Sequence, residues 1–177
     1  MVEMFVESVR VSTSGLQRVV VLKEKESDRY LLIWVGTPEA GAIALSMQGI
    51  AVARPMTHDL LKSVIEAMGG TVRSILVNDL IDNTFYARII VEVDGRTIEI
   101  DARPSDSIAL ALRTQARIYV AEKVLDEAGI VSGTLEPGKS EEDSGESAQD
   151  LSVFRDFIDS LGKNEPGQEG QPSNPLS

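Results

Sequence analysis

The chain has 177 residues, of which 42% are hydrophobic and 25% charged, with no cysteine and a formal net charge of −11. These values predict a globular protein of roughly one domain and exclude a disulfide framework, a thiolate metal site and a cysteine nucleophile. The excess of acid argues against a protein that holds nucleic acid by a broad basic surface, and no apolar run approaches the ~18 residues of a membrane-spanning helix.

The N-terminal part of the chain predicts three strands. Residues 3–11 and 17–24 alternate apolar and polar side chains and are rich in valine, as half-buried strands are. Residues 30–35 are almost continuously apolar, which indicates a buried strand and places Trp34 in the core. The acidic, alternating start lacks the basic and apolar segments of a signal peptide, so we expect a cytoplasmic protein.

Two helices follow these strands. Thr37 is a suitable N-cap, Pro38 suits the first helical position, and Glu39 favours the positive end of the helix dipole. Gly49 ends this helix. The second helix starts at Thr57, and its apolar side chains recur at helical spacing over about three turns.

The second half of the core alternates strands and helices. Asp94-Gly95 between two alternating runs predicts a tight hairpin. The pattern predicts strands at 72–78, 84–93, 97–102 and 117–120, and helices at 105–113 and 121–128. Together with the first half, this order favours an α+β (mixed α/β) domain over residues 1–132. We expect a mostly antiparallel mixed sheet packed with three or four helices.

The C-terminal part differs in composition from the rest of the chain. Pro, Gly, Ser and acidic residues dominate it, so we expect a disordered acidic linker at 133–149 and a disordered tail at 163–177. Between them, residues 150–162 predict a short amphipathic helix. A helix this short is marginal alone, so it docks either on its own domain or on a protein partner.

One polar segment, Arg54-Pro55-Met56-Thr57-His58-Asp59, stands at the start of the second helix. Proline keeps Arg54 out of the helical conformation, and Arg54 with the free N–H groups of the first turn can bind phosphate. His58 is the only histidine, and it can ligate a metal or transfer a proton near neutral pH. Asp59 either ligates a metal or satisfies the end of the helix that Thr57 caps.

A similar segment, Asp101-Ala102-Arg103-Pro104-Ser105-Asp106, precedes the third helix, which Ser105 is expected to cap. Asp101 and Asp106 either ligate Mg²⁺ or Mn²⁺, with Arg103 on a phosphate oxygen, or pair with Arg103 and stiffen the corner. Glu39 is a weaker candidate, with helix capping as its alternative role. The repeated Ala-Arg-Pro tripeptide indicates either a worn internal duplication or a coincidence.

Taken in order, these strings resemble the bifunctional nuclease family of bacteria and plants, whose members are credited with DNase and RNase activity. The resemblance covers roughly residues 3–131. It rests on Leu32-Ile33-Trp34-Val35-Gly36, Glu39-Ala40, Ala42-Ile43-Ala44-Leu45, Arg54-Pro55-Met56-Thr57-His58-Asp59-Leu60, Thr84-Phe85-Tyr86-Ala87, Asp101-Ala102-Arg103-Pro104-Ser105-Asp106-Ser107 and Ile118-Tyr119-Val120.

The resemblance implies a compact mixed α/β fold, a homodimer and hydrolysis of DNA and RNA. On this hypothesis the carboxylates hold Mg²⁺ or Mn²⁺, the arginines bind the phosphate, and the histidine gives or takes a proton. The residues concerned are Glu39, Arg54, His58, Asp59, Asp101, Arg103 and Asp106. The alternative is a non-enzymatic binding or regulatory module that uses the same surface or the acidic C-terminal segment.

Overall fold

A computed structural model describes residues 1–11 and 17–131. The expected linker at 133–149, helix at 150–162 and tail at 163–177 lie outside the described residues. No helix in the described part is long and apolar enough to cross a bilayer.

The described residues form one sheet of eight strands accompanied by four helices. The strands are β1 Val2–Val11, β2 Arg18–Glu24, β3 Arg29–Val35, β4 Gly70–Ile81, β5 Thr84–Val93, β6 Arg96–Ala102, β7 Arg117–Val120 and β8 Gly129–Val131. The helices are α1 Thr37–Met47, α2 Thr57–Ala67, α3 Pro104–Thr114 and α4 Glu122–Ala128. This confirms the predicted α+β fold.

The sheet is mixed, and its strand order is β6-β5-β4-β7-β1-β2-β3-β8. The pairing of β4 with β7 is parallel, and the other described neighbours are antiparallel. Two tight turns set the register of the β4–β5–β6 meander. Asp94 and Gly95 both have positive φ, at 50° and 74°, as the predicted hairpin turn requires.

Helix α3 is the central helix of the fold. It packs against α1, α2 and the strands β4 and β5. Ile108 and Leu110 are fully buried, while Ala109 and Ala111 are buried with small side chains that let neighbouring helices approach closely. The N-termini of α1 and α2 are thereby held close to the N-terminus of α3.

Two kinds of local expectation were wrong. Trp34 is 39% exposed, because side chains alternate along β3 and its neighbour Ile33 takes the core side. Helices α1, α2 and α3 have Gly36, Met56 and Arg103 as their N-caps, and none of these caps uses its side chain. The predicted hydroxyl caps therefore lie inside the first turns.

Candidate functional site

The first turns of α1, α2 and α3 bring polar side chains together at one place. Glu39 comes from α1, His58 from α2 and Asp106 from α3, while Arg103 is the extended residue just before α3. Proline follows Arg103 and favours this extended conformation. The three helix starts and the Arg-Pro corner thus place four polar side chains in one continuous series of contacts.

The guanidinium of Arg103 links two carboxylates. Its Nε donates to Asp106 Oδ2 at 2.7 Å, and its Nη2 donates to Asp106 Oδ1 at 3.1 Å and to Glu39 Oε1 at 2.8 Å. The Arg103 side chain is nevertheless 66% exposed, whereas Glu39 is only 17% exposed. The cation therefore lies on the open side of the site and the carboxylates lie behind it.

His58 joins this cluster from α2. Its Nε2 lies 3.1 Å from Asp106 Oδ1, and the residue is 7% exposed. An ionised carboxylate can only accept a hydrogen bond, so Nε2 carries the proton and donates it to Asp106. We refer to Glu39, His58, Arg103 and Asp106 as the acid–arginine cluster.

The charges of the acid–arginine cluster are coupled. Burial alone would raise the pKa of Asp106, but the hydrogen bonds from Arg103 and His58 outweigh it and hold that pKa below its usual value. The carboxylates of Asp106 and Glu39 in turn raise the pKa of Arg103, and Asp106 contributes most. Asp106 is therefore an anion and Arg103 a cation throughout the neutral pH range.

Asp59 has a different set of partners. Its Oδ2 accepts the backbone N–H of Met56 at 2.8 Å and its Oδ1 accepts Arg113 Nε at 2.6 Å. Burial acts to raise the pKa of Asp59, yet these two hydrogen bonds leave it lowered. The carboxylate thus caps α2 and binds the last turn of α3, outside the acid–arginine cluster.

Arg54 and Asp101 also lie outside the cluster. Arg54 is exposed in the loop before α2 and makes no ion pair with any residue that the structure describes. Asp101 is exposed on β6, in register with Arg88 of β5. Of the predicted site residues, the structure therefore joins Glu39, His58, Arg103 and Asp106, and leaves Arg54, Asp59 and Asp101 apart.

Two residues of this region were missed from the sequence. Arg113 is 8% exposed, and besides Asp59 it donates to Ala109 O at 2.9 Å and Ala42 O at 3.2 Å. Gly36 leaves room for Glu39, because a Cβ at this position would collide with Glu39 Oε2. A glycine after an apolar strand, such as Gly36, and an arginine at the end of a helix, such as Arg113, are both common. The sequence therefore gives no signal for these contacts.

The donor set of the cluster suits a hard divalent cation, although residues 1–11 and 17–131 contain no ready-made group of three acidic or histidine ligands. Mg²⁺ characteristically uses one or two carboxylates and completes its shell with water and substrate phosphate. Glu39 and Asp106 converge on one Arg103 nitrogen, so they are close enough to provide that pair of carboxylates. Asp59 and Asp101 are not close partners of this pair.

The acid–arginine cluster thus joins the starts of three helices in an α+β domain. Comparison with known proteins identifies the family. The family model of the bifunctional nuclease domain matches residues 20–133. The chain belongs to the bifunctional nuclease family.

The relatives are bacterial and plant proteins. An uncharacterized protein of Mycobacterium tuberculosis is 42% identical over 161 residues, which is 90% of this chain and 94% of that protein. "Bifunctional nuclease 1" of Oryza sativa subsp. japonica is 28% identical over 127 residues, 69% of this chain but 38% of the rice protein. "Bifunctional nuclease 1" of Arabidopsis thaliana is 29% identical over 105 residues, 57% of this chain and 32% of that protein.

Proposed function

We propose that this protein hydrolyses phosphodiester bonds of DNA and RNA at the acid–arginine cluster, assisted by Mg²⁺ or Mn²⁺. The observation that carries the proposal is the unbroken series of contacts from Glu39 through Arg103 and Asp106 to His58. The names of the plant relatives support the same activity.

Arg103 is the residue that meets the substrate phosphate. Its guanidinium is two-thirds exposed and can form paired hydrogen bonds to two phosphate oxygens. Charge that develops on those oxygens during hydrolysis is stabilised by the guanidinium bound to them. When Arg103 turns from its carboxylates towards the phosphate, Glu39 and Asp106 become available as ligands.

His58 is the proton-transferring residue. Asp106 holds Nε2 as a donor, which fixes the imidazole tautomer and leaves Nδ1 as the basic nitrogen. In this arrangement the carboxylate orients the ring, as in other carboxylate–histidine pairs. Because His58 is 7% exposed, it acts on a water molecule or oxygen that reaches into the site.

A divalent cation would be held by Glu39 and Asp106, and when bound it would supply Lewis-acid polarisation of the phosphate and a more acidic water. In this proposal the predicted ligands Asp59 and Asp101 do not ligate the cation. Asp59 keeps α2 in position, and Asp101 lies on the neighbouring strand β6. Arg54 binds a phosphate of the same substrate strand away from the cluster.

The test is cleavage of single-stranded RNA and plasmid DNA by the full chain with Mg²⁺, Mn²⁺ or a chelator. Asp106→Asn, Arg103→Ala and His58→Ala should each reduce kcat/KM by about 100-fold or more, in the range that proton-transfer and charge-stabilising groups contribute. Asp101→Asn is the matched control and should retain activity. Full activity in all three cluster variants would reject the site, and activity in chelator would reject the metal.

The second candidate is a binding or regulatory module without hydrolysis. It is favoured because Glu39, Asp59 and Asp106 are all paired with arginine. Ion pairs that only hold helices together would show the same pairing. On this alternative the wild type binds an anion at Arg103 but cleaves neither nucleic acid under any metal condition. The cleavage assay therefore separates the two functions.

The protein also acts as a homodimer in this proposal, through an exposed apolar stripe on α2. Leu60, Val64 and Met68 repeat every four residues and are 59%, 46% and 74% exposed, so they share one helix face. Apolar side chains grouped in this way characteristically mark an interface. In light scattering after gel filtration, Val64→Asp should shift the protein from dimer to monomer, whereas Ile81→Asp, at an exposed apolar position of β4, should not. A monomeric wild type would refute the dimer.

A further inference from the structure

A cavity of about 430 Å³ opens beside the first turn of α2 and is not used by the acid–arginine cluster. It lies between the end of α1, the α1–α2 loop and α2. Its apolar wall consists of Leu45, Ile50, Val52 and Pro55. Ile50 and Val52 are 49% and 42% exposed, so the cavity is open to solvent, and its apolar wall offers a surface on which a flat ring can pack.

The polar part of the cavity comes from Asp59 and Arg113. Arg113 is almost buried, and it donates once from each of Nε, Nη1 and Nη2 to an oxygen of the protein. Its Nη2 also donates to Met56 Sδ at 3.9 Å. A guanidinium has five N–H groups, so one N–H remains beyond these four bonds. The cavity therefore combines aliphatic walls with fixed hydrogen-bonding groups at one side.

An exposed cation lies next to a lining residue of this cavity in the chain. Arg54 directly precedes the lining residue Pro55, is exposed, and makes no ion pair with any described residue. An exposed arginine without a carboxylate partner is available for a phosphate. The cavity and Arg54 together match a ring that carries a nearby anionic group.

The cavity and the acid–arginine cluster lie on two sides of the same helical turn. His58 contacts Asp106, while the next residue, Asp59, lines the cavity. Consecutive helical residues point about 100° apart. A nucleic-acid strand that passes the start of α2 can therefore contact both places.

We propose that this cavity is a nucleoside subsite, in which a base packs on Ile50, Val52 and Pro55 and its polar edge faces Asp59 and Arg113. Arg54 binds the phosphate attached to that nucleoside. The inference deepens the proposed nuclease function, on which it rests, because it places one unit of the substrate beside the cluster. Base contacts of this kind supply binding energy to single-stranded nucleic acid without a basic groove.

The first test is titration of the full chain with each of the four ribonucleoside 5′-monophosphates in chelator, followed by backbone amide NMR. We expect saturable shifts at Ile50, Ala51 and Val52 with at least one nucleotide. Ribose 5-phosphate, which lacks the base, should leave these three amides unchanged. Absence of shifts at these amides with all four nucleotides would overturn the subsite.

The second test fills the cavity. Ala51→Phe, at an exposed lining position, should weaken nucleotide binding about tenfold or more, whereas Ala67→Phe, at an exposed alanine of α2 that does not line the cavity, should not. Arg54→Ala should weaken the monophosphate but not the free nucleoside. Its control is Arg96→Ala, at an exposed arginine of β6. Unchanged affinity in Ala51→Phe would overturn the subsite.

Failure of the subsite and failure of the proposed nuclease function give different results. Cleavage by the wild type with an unchanged KM in Ala51→Phe would reject the subsite and keep hydrolysis. Nucleotide-dependent shifts at Ile50, Ala51 and Val52 in a protein that never cleaves would reject hydrolysis and keep the subsite. In the active protein we expect Ala51→Phe to raise KM more than it lowers kcat, because it removes binding away from the reacting bond.

Discussion

At the residue scale, Arg103 organises the site because one exposed guanidinium satisfies two carboxylates from different helices. Glu39 and Asp106 would otherwise repel each other across the helix starts. On the proposed function, the arrangement keeps the cation that would bind the phosphate paired with the two anions that would hold a metal. Arg103 can reach a phosphate only by leaving the two carboxylates, and the carboxylates can reach a metal only when Arg103 has left. Substrate and metal should therefore bind together better than either binds alone.

Gly36 controls the position of Glu39, and this gives a prediction at the residue scale. A Cβ at Gly36 would collide with Glu39 Oε2, although its φ of −66° suits any residue. Gly36→Ala should therefore displace the Glu39 carboxylate from Arg103 and lower kcat/KM about tenfold, a loss of roughly 1.4 kcal/mol, with the free energy of unfolding changed by less than about 1 kcal/mol.

The control for this glycine lies in the same helix. Gly41→Ala adds a Cβ that meets no atom within 4 Å, so it should keep full activity and stabilise α1 by up to about 1 kcal/mol. Kinetics and urea unfolding of both variants make the comparison. Normal kinetics in Gly36→Ala alongside impaired kinetics in Glu39→Gln would show that Glu39 does not need this geometry.

At the element scale, most of the fold could be predicted from sequence, because the strands and helices follow regular hydrophobic periods. The three-residue β8 could not, since a segment so short has no period of its own. The site was predictable only as two separate Arg-Pro segments. The crossing of α2 over α3 decides that Asp106 contacts His58 and that Asp59 contacts Arg113. No pattern within a single element determines how the two helices cross.

The contact between α2 and α3 gives a prediction about stability and pH. Asp59 binds the nearly buried Arg113, and its pKa in the folded protein lies below the ordinary aspartate value of 3.8. A lowered carboxyl pKa contributes stability that is fully present above the unfolded value and is lost as the pH falls through the folded value. Asp59→Asn should cost about 3 kcal/mol at neutral pH, because it leaves Arg113 without its counter-ion.

The measurement is urea unfolding of wild type and Asp59→Asn at neutral pH and near pH 3. The difference in unfolding free energy between the two proteins should narrow in acid, because below the ordinary value of 3.8 the carboxyl group of the unfolded wild type is protonated and the charge contributes less to stability. Asp101→Asn, on the exposed strand β6, should stay within about 0.5 kcal/mol of wild type at both pH values. An equal difference for Asp59→Asn at both pH values would mean that the pair contributes through packing and not through charge.

At the scale of the whole molecule, the acidic charge conflicts with a polyanionic substrate. The chain carries −11 overall, so long-range electrostatics slow the approach of nucleic acid and do not steer it. On the proposed function, binding then has to come from short-range contacts, namely Arg103 at the acid–arginine cluster, Arg54 beside the cavity, and any bound metal. On the proposed function we expect a preference for accessible single strands over rigid duplexes, because base and phosphate contacts must form together.

This conflict predicts an unusually weak dependence of activity on salt. Two arginine–phosphate contacts on a single strand account for a slope of about −1.4 in log(kcat/KM) against log[NaCl], at about −0.7 for each contact, and screening of the net repulsion makes the slope shallower. Initial rates on single-stranded RNA at fixed Mg²⁺ would measure it. Arg54→Ala should flatten the slope by about 0.7, whereas Arg96→Ala should leave it unchanged. A wild-type slope steeper than about −3 would require four or more phosphate contacts and therefore a larger basic surface than Arg54 and Arg103 provide.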